Sequence, residues 1–414
     1  MDPRKINIHD YSYVLPEEKI AKYPLPERDT SKLLVYRKGN ITSDFYYNIS
    51  HHLTANSLMV FNNTRVVEAR LLFQKPSGGV IEVFCLEPAG KYSDITSGMS
   101  QQGTVLWKCL IGGASKWKYG MTLEKKVSFE TGELILFAKI VERNTDSFII
   151  ELSWQPESFS FAEVLHFAGA IPLPPYIKRE VEESDRERYQ TIYAIESGSV
   201  AAPTAGLHFS DKIFKTLELK NIRREYITLH VGAGTFKQVK SETMADHEMH
   251  AEFFEVQKEF IASLLFAKNV IAVGTTTART IESLYWLGVK LSINPSLNEE
   301  EMKLQQWEAY ELPQDVPADE AISSLINWME RKQIQVLITK TSLLIAPGYK
   351  LRVIHALVTN FHQPQSTLLL LVAAVAGPQW TKIYDYALQN DFRFLSYGDG
   401  CLLWKADPDK PVVL

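Results

Sequence analysis

The sequence has few cysteines, no long apolar run and no excess of positive charge. Its three cysteines, Cys85, Cys109 and Cys401, show no paired spacing. This argues against a disulfide framework and a cysteine zinc site and is typical of a reducing compartment. The longest apolar run, residues 368–376, is far shorter than the ~20 residues that cross a bilayer. No apolar signal segment follows the N-terminus. We therefore expect a cytoplasmic protein without a membrane partner.

Length and composition predict an ordinary globular protein of two domains. The chain has 414 residues, of which 45% are hydrophobic and 22% are charged. Its formal net charge of −5 argues against a uniformly basic nucleic-acid-binding protein, although a local basic patch remains possible. The sequence leaves the oligomeric state open.

Three common ligand-binding motifs are missing from the sequence. No Gly-x-Gly-x-x-Gly follows a predicted strand and no Gly-Lys-Ser/Thr loop is present, so neither a dinucleotide nor a nucleoside triphosphate site is indicated. No Gly-x-Ser-x-Gly hydrolase motif occurs. His247 and His250 are three residues apart, which differs from the His-Glu-x-x-His motif of metalloproteases. Together with Glu252 they remain an alternative metal site, but we expect no metal.

Short alternating or apolar runs predict an antiparallel β-barrel domain over residues 66–154. Turn-forming residues separate the runs, for example Gly112-Gly113 and residues 144–146, and no helical pattern intervenes. Such a succession is typical of a barrel or a sandwich. The expected strands are residues 80–86, 105–111, 121–129, 133–141 and 148–154.

Outside this block, strand and helix patterns alternate. Residues 270–284 indicate a strand, a glycine turn and a helix capped by threonines, and residues 353–376 repeat this order with Ser366 as the cap. These units predict an α/β domain with a mixed sheet over residues 1–65 and 155–414, into which the β-barrel domain is inserted. Ligands of such domains bind beyond the carboxyl ends of the strands. An acidic insertion at about residues 294–334 predicts a surface subdomain or an extended loop.

Four of the ten histidines lie close together in sequence, among small residues. His208, His230, His247 and His250 fall between Gly198 and Glu252 in blocks rich in glycine, alanine and threonine. Such blocks are poor helix and strand interiors, and they suit loops whose backbone approaches a ligand. Because histidine titrates near neutrality, the blocks indicate an acid–base site. The alternative is that each histidine is purely structural.

Two further segments are rich in hydrogen-bond donors. Residues 62–65 (Asn-Asn-Thr-Arg) follow an apolar strand and can bind hydroxyls, a carboxylate or a phosphate, unless the asparagines only form an Asx turn. Thr275, Thr276 and Arg279 lie at a predicted helix N-terminus, which suits a carboxylate or a phosphate. The alternative there is a capped structural helix.

A basic surface is indicated after a proline-rich segment. Lys178 and Arg179 end the segment of residues 172–179, and Arg186 and Arg188 follow. With Arg223 and Arg224 they can contact a phosphate backbone, and the alternative is an ordinary solvated surface.

In this order, the motifs resemble the S-adenosylmethionine:tRNA ribosyltransferase-isomerase family of queuosine biosynthesis. The resemblance covers nearly the whole chain with long motifs. They are residues 13–29, 61–66, 69–71, 78–79, 82–83, 172–179, 188–193, 198–209, 230–236, 246–252, 273–276, 359–362 and 394–399. Departures occur at Gln363, Gln365 and Gly400-Cys401 and in the additional acidic stretch 294–334, and they leave open a divergent paralogue with another acceptor. A non-catalytic RNA-binding homologue is the other alternative.

The resemblance implies an α/β domain with an inserted β-barrel and an unusual reaction. S-adenosylmethionine is the ribosyl donor, and no other cofactor is implied. The ribosyl group is transferred and isomerised onto 7-aminomethyl-7-deazaguanine at the tRNA wobble position. The products are epoxyqueuosine-tRNA, adenine and methionine. This chemistry needs a general base next to the sulfonium and a general acid for adenine.

The candidate residues fall into three groups. The candidate catalytic residues are His230 and Glu252 first, then His208, His247 and His250. The candidate substrate-binding residues are Asn62, Asn63, Thr64, Arg65, Arg70, Pro203, Thr204, Gly206, Gly232, Gly234, Thr235, Thr275, Thr276, Arg279, Asn360, His362, Tyr397 and Asp399. The candidate RNA-binding residues are Lys178, Arg179, Arg186 and Arg188.

Overall fold

The computed structural model describes residues 2–75, 78–90, 92, 94–118, 120–129, 132–232, 239 and 241–406. Within these residues no helix is long and apolar enough to cross a membrane. The strands are β1 (Lys32–Arg37), β2 (Asn40–Phe45), β3 (Leu58–Asn62), β4 (Thr64–Val66), β5 (Arg70–Gln74), β6 (Val80–Pro88), β7 (Thr104–Gly112), β8 (Thr122–Phe129), β9 (Gly132–Arg143), β10 (Phe148–Gln155), β11 (Gly169–Ala170), β12 (Glu196–Ser199), β13 (Arg223–Leu229), β14 (Glu252–Gln257), β15 (Val270–Val273), β16 (Val336–Thr341), β17 (Ala356–Asn360) and β18 (Gly400–Trp404). The α-helices are α1 (Ile95–Met99), α2 (Phe161–Ala168), α3 (Asp185–Arg188), α4 (Asp211–Leu219), α5 (Lys258–Ser263), α6 (Thr275–Ile293), α7 (Glu308–Glu311), α8 (Ala318–Arg331), α9 (Thr367–Ala376) and α10 (Trp380–Gln389).

A nine-stranded mixed sheet forms the larger part of the molecule, and it confirms the predicted α/β class. Its strand order is β16-β14-β13-β3-β15-β17-β18-β1-β2. The neighbours β13, β3, β15 and β17 run parallel, whereas β14 is antiparallel to β13 and β18 is antiparallel to β17. The carboxyl ends of the four parallel strands therefore share one edge of the sheet.

Helices cover both faces of this sheet, which explains why its central strands are apolar throughout. On β3, Leu58 and Val60 pack in the same core as α6 and α9, whereas Met59 and Phe61 pack in the core that contains α4. The predicted start of α9 is confirmed, since the Ser366 side chain accepts a hydrogen bond from the Leu369 N–H. The expected threonine cap of α6 is wrong, because Gly274 occupies that position with φ +96°.

A second sheet has seven antiparallel strands in the order β11-β5-β6-β7-β10-β9-β8. This confirms the inserted antiparallel β-structure, and the five expected strands are observed as β6 to β10. The sheet is a curled half-barrel rather than a closed barrel, since within the described residues no strand pairing joins β8 to β11. Trp107 and Trp154 fill its concave side together with Phe161 of α2. Its strands extend from Arg70 to Ala170, beyond the expected boundary at residue 154.

The acidic stretch is not the surface subdomain or extended loop that its composition suggested. It contains α7 and α8, and α8 buries Ile322, Leu325 and Trp328 in the core of the larger domain. Gly288 of α6 allows close packing, because a Cβ atom there would overlap the carbonyl of Ala321 in α8. Most of the acidic side chains of this stretch, such as Glu299, Glu300 and Asp315, lie before α8 and are exposed.

Candidate active site

The predicted site residues meet where the parallel strands end. Asn62 ends β3, His230 follows β13, Thr275 follows β15 and Asn360 ends β17. Because β14 runs antiparallel, its first residue, Glu252, lies at the same edge. The topology thus brings together residues up to 298 positions apart in sequence and matches the expectation that ligands bind beyond the carboxyl ends of strands.

A cleft of about 1080 Å³ opens at this edge, between the two sheets. The α/β domain contributes four of the five candidate catalytic residues, His230, His247, His250 and Glu252, together with Arg279. Residues of the half-barrel region, including Ile95, Lys108 and Asp146, line the opposite side. The cleft is larger than the ~300–1,000 Å³ typical of a pocket for a single small ligand, so it has room for two reactants.

His230 has a defined hydrogen-bonding environment on the cleft wall. Its Nδ1 lies 3.2 Å from Oγ1 of Thr64, which in turn donates a hydrogen bond of 3.3 Å to the carbonyl of Glu196. Because the Thr64 hydroxyl has only one proton, this arrangement assigns the ring proton to Nδ1 and leaves the lone pair on Nε2. Nε2 makes no hydrogen bond within the described residues, and Oε1 of Glu255 lies 3.9 Å away.

Glu252 and Arg279 form a buried ion pair beside His230. Their side chains are 6% and 8% exposed, and Nη1 of Arg279 donates to Oε2 of Glu252. Nε of Arg279 donates to the carbonyl of Leu343 at 3.0 Å, whereas Nη2 is buried without a hydrogen-bond partner in the described part of the chain. Glu252 and Glu255 point to opposite faces of β14, as expected for strand residues three apart.

His247 and His250 lie on the rim of the cleft and differ from His230 in exposure. His250 is exposed, and His247 is half-buried. Burial lowers the pKa of His247 from its ordinary value, and the nearby His250 lowers it further. Both imidazoles can reach solvent and a ligand.

His208 and His362 are buried away from the cleft solvent. Burial lowers the pKa of each to about 3, so both rings are neutral at ordinary pH. His208 stacks on Tyr46 with a ring distance of 4.3 Å, and Nε2 of His362 contacts Oγ1 of Thr359 at 2.8 Å. His208 does not line the cleft between the sheets, so the structure separates it from the other catalytic candidates.

A smaller recess of about 70 Å³ adjoins the cleft. It contains the candidate residues Pro203, Thr204, Thr275 and Thr276 together with Asn360 and His362. Val231 and Tyr176 line both cavities. The two spaces therefore form one continuous candidate site.

Several predicted binding residues make side-chain hydrogen bonds that stabilise this edge of the larger sheet. The amide of Asn62 bonds to both backbone groups of Leu229, which fastens β3 to β13. Asn63 accepts a hydrogen bond from Thr228, and Asn360 accepts one from Thr204. Three further candidates bond to other side chains or to the backbone: Arg70 pairs with Glu82, Tyr397 donates to Asp185, and Asp399 accepts hydrogen bonds from Lys32 and Arg393. Gly206 is buried in the turn before His208. Gly232 lines the cleft, and Arg65 is exposed. Gly234 and Thr235 lie outside the described residues.

The predicted RNA-binding residues do not form a free basic patch. Arg179 makes two hydrogen bonds of 2.7 Å to the buried carboxylate of Asp185, and its side chain is 9% exposed. The guanidinium of Arg188 donates to the carbonyls of Leu25 and Pro26. Lys178 pairs with Glu17 at the surface, Arg186 lies near Glu68 and Glu183, and Arg224 pairs with Glu218. Arg179 thus has a structural role in place of the expected phosphate contact.

Four residues that were not among the sequence candidates also shape the site: Gly198, Glu255, Tyr176 and Lys340. Gly198 contacts the His230 ring, and Lys340 lies over the ring of Phe253 at 4.0 Å on the cleft wall. The alternation along β14 places Glu255 beside His230. Only Gly198 and Tyr176 belonged to recognisable motifs, so the other two had no local signal. Within the described residues, no group of three or more histidine, cysteine, aspartate or glutamate side chains is arranged to hold a metal ion.

Comparison with known proteins identifies the family. The sequence model of the family described as "Queuosine biosynthesis protein" matches residues 8–403. The chain belongs to this queuosine biosynthesis family. A relative from Halothermothrix orenii named S-adenosylmethionine:tRNA ribosyltransferase-isomerase is 37% identical over 408 residues, which cover 96% of this chain and 100% of the relative. A relative of the same name from Trichlorobacter lovleyi is 35% identical over 406 residues, covering 96% and 99%.

A solved structure from the same family is also similar in sequence. It is the Thermotoga maritima S-adenosylmethionine tRNA ribosyltransferase, which is 26% identical to this chain. The match covers 95% of this chain and 99% of the other, with a TM-score of 0.44.

Proposed function

We propose that this chain is an S-adenosylmethionine:tRNA ribosyltransferase-isomerase. It transfers and isomerises the ribosyl moiety of S-adenosylmethionine onto 7-aminomethyl-7-deazaguanine at the tRNA wobble position and releases adenine and methionine. The observation that carries the proposal is the alignment with relatives of this name over 96% of the chain. We place the reaction in the cytoplasm, where a tRNA acceptor and three unpaired thiols are both expected.

In this proposal His230 is the general base of the first step. The Thr64 network leaves the lone pair on Nε2, and His230 lines the cleft. The C–H bond next to the sulfonium breaks, its electron pair stays on carbon, and its proton moves to Nε2. The carboxylate of Glu255, 3.9 Å away, stabilises the resulting imidazolium.

The other cleft residues have complementary roles. Departing adenine needs a proton, and His247 and His250 are the candidate general acids because both reach the cleft from its rim. Arg279 orients the carboxylate of Glu252 toward the same space. Lys340 lines the cleft, whereas Lys108 pairs with Glu87 at 2.8 Å, and the carboxylates of Asp146, Asp246 and Glu248 line the same space.

The acceptor and the donor can meet in the cleft. A wobble base must leave its stack to react, and extruded bases bind in enclosed pockets of this kind. The volume of about 1080 Å³ accommodates such a base beside the ribosyl end of the donor. A homologue that only bound RNA would have no need of a histidine with a fixed tautomer in that position.

The direct test is incubation with S-adenosylmethionine and tRNA that carries 7-aminomethyl-7-deazaguanine, followed by nucleoside mass spectrometry and measurement of adenine. We expect epoxyqueuosine-tRNA and stoichiometric adenine. His230→Ala should lower the rate at least ~100-fold. The control is His51→Ala, which removes an exposed imidazole outside the cleft and should leave the rate unchanged.

Two results would overturn the proposal. Donor binding without product on this tRNA would indicate a different acceptor, and tRNA binding without donor binding would indicate a non-catalytic RNA-binding protein. Full turnover by His230→Ala would leave the family function intact but would remove His230 as the base.

A further inference from the structure

The recess beside the cleft is lined with hydrogen-bond donors that have no partner. Thr275 and Thr276 are 8% and 7% exposed, and both line the recess. Within the described residues neither hydroxyl makes a hydrogen bond, and both oxygens remain accessible from the recess although the residues themselves are largely buried. By contrast, Thr277 and Thr280 on the same helix bond to the carbonyls of Val273 and Thr276. The unpaired hydroxyls therefore point to a ligand.

The backbone at this point adds further donors and a positive field. The helix α6 has 19 residues, and its N-cap residue Gly274 has no side chain to bond the first N–H groups. The N–H groups of Thr275, Thr276 and Thr277 have no acceptor within the helix. The positive end of the helix dipole lies at the same place. Among the described residues that line the recess there is no aspartate or glutamate, so an anion meets no opposing charge from them.

Arg279 extends these donors toward the cleft. It lies four residues after Thr275, on the same face of α6. Its Nη2 is buried and has no hydrogen-bond partner in the described part of the chain, while Nη1 and Nε are occupied by Glu252 and Leu343. A charged donor thus remains available between the recess and the cleft.

The size of the recess limits the anion that it can hold. Its volume of about 70 Å³ is small beside the cleft volume of about 1080 Å³. A carboxylate suits this space better than a phosphodiester with its two attached sugars. Val231 lines both cavities and directly follows His230. A ligand anchored in the recess can therefore extend its other end to the candidate base.

We infer that the N-terminus of α6, with the hydroxyls of Thr275 and Thr276, binds the α-carboxylate of the methionine part of S-adenosylmethionine. This inference rests on the proposed function and adds the orientation of the S-adenosylmethionine molecule in the site. The amino-acid end is buried in the recess, and the sulfonium and ribose reach the cleft beside His230.

The test compares the binding of S-adenosylmethionine and decarboxylated S-adenosylmethionine by isothermal titration calorimetry. Decarboxylated S-adenosylmethionine lacks only the carboxylate, so the wild-type protein should bind it at least ~10-fold more weakly than S-adenosylmethionine. The double variant Thr275→Val/Thr276→Val keeps the shape of both side chains and removes both hydroxyls. It should bind S-adenosylmethionine ~10-fold more weakly than the wild type does and bind the decarboxylated compound with unchanged affinity.

The control variant is Thr280→Val, whose hydroxyl bonds to its own helix and lines neither cavity. It should bind both donors as the wild type does. Equal affinity of the wild type for the two donors would overturn the inference alone. So would an equal loss for both donors in the double variant, or a loss of tRNA affinity without any loss of donor affinity. Failure of the wild type to bind S-adenosylmethionine at all would overturn the proposed function as well.

Discussion

Gly198 packs directly against the imidazole of His230. A Cβ atom at position 198 would lie 2.5 Å from Cγ2 of Ile95 and 2.9 Å from both Cε1 and Nδ1 of the ring, and φ of +146° further disfavours a side chain there. Gly198→Ala should displace the ring and lower the rate of adenine release ~10- to 100-fold, because small displacements of a catalytic group are costly. Gly79→Ala is the matched control, since nothing lies within 4 Å of the added methyl. An unchanged rate in Gly198→Ala would show that the position of this ring is unimportant.

Thr64 determines which nitrogen of His230 carries the proton. Thr64→Val removes the acceptor for Nδ1–H, so the wrong tautomer becomes populated and the rate should fall ~10- to 100-fold. Thr64→Ser keeps the hydroxyl and should restore most of the rate. The pH–rate profile separates a catalytic effect from a structural one, since only loss of the tautomer shifts its acidic limb. Equal rates for the valine and serine variants would contradict this role.

The ion pair of Glu252 and Arg279 is buried at both ends. Glu252→Gln leaves an uncompensated guanidinium and should lower the free energy of unfolding by ~3–5 kcal/mol, measured by urea denaturation. In the double variant Glu252→Gln/Arg279→Met neither charge remains, and most of this loss should be recovered. If the loss of unfolding free energy in the double variant equals the sum of the losses in the two single variants, the two groups are not coupled.

Stability should depend on pH through the buried histidines. The folded-state pKa of His362 is about 3, below its ordinary value near 6.5, because burial disfavours the charged ring. The unfolded chain therefore binds more protons between these values, and the stabilisation is complete above pH ~6.5 and is lost as the pH falls toward 3. His362→Gln should flatten the slope of unfolding free energy against pH in this range, whereas His51→Gln at an exposed position should not. Identical slopes for both variants would exclude His362 as a source of acid sensitivity.

The close contact of α6 and α8 predicts a stability effect far from the site. Gly288→Ala places a methyl group against the backbone carbonyl of Ala321, so the helices must separate. We expect a loss of at least ~1–3 kcal/mol and a lower melting temperature by differential scanning calorimetry. The rate of adenine release at low temperature should remain that of the wild type. Wild-type stability would mean that α8 packs more loosely than the structure indicates.

Local patterns predicted most of the elements but few of the contacts. Alternation and glycine turns located β6 to β10 within about three residues, because each strand buries one face of a curled sheet. The same logic placed β15 before α6 and Ser366 before α9. The acidic composition of residues 294–334 concealed α8, since its apolar residues occupy one stripe of a helix whose other positions are largely polar or charged.

The sequence predicted which residues form the candidate site, but not which of their side chains contact one another. Thr64 and His230 are 166 positions apart, and only the parallel pairing of β3 with β13 brings them together. His208 resembled His230 in its sequence surroundings, yet it stacks on Tyr46 outside the cleft. Glu255 lies in an ordinary strand pattern, and nothing local to it indicates a neighbouring imidazole.

The position of β18 has a consequence for how the molecule is assembled. In the larger sheet this strand lies between β17 and β1, so the hairpin of β1 and β2 joins the sheet only through residues 400–404. During synthesis the first hairpin must wait until nearly 370 further residues have been made before its inner edge finds a partner. Until then β1 and β17 each expose an apolar edge with unpaired backbone groups. At these two edges the nascent chain is most prone to aggregation.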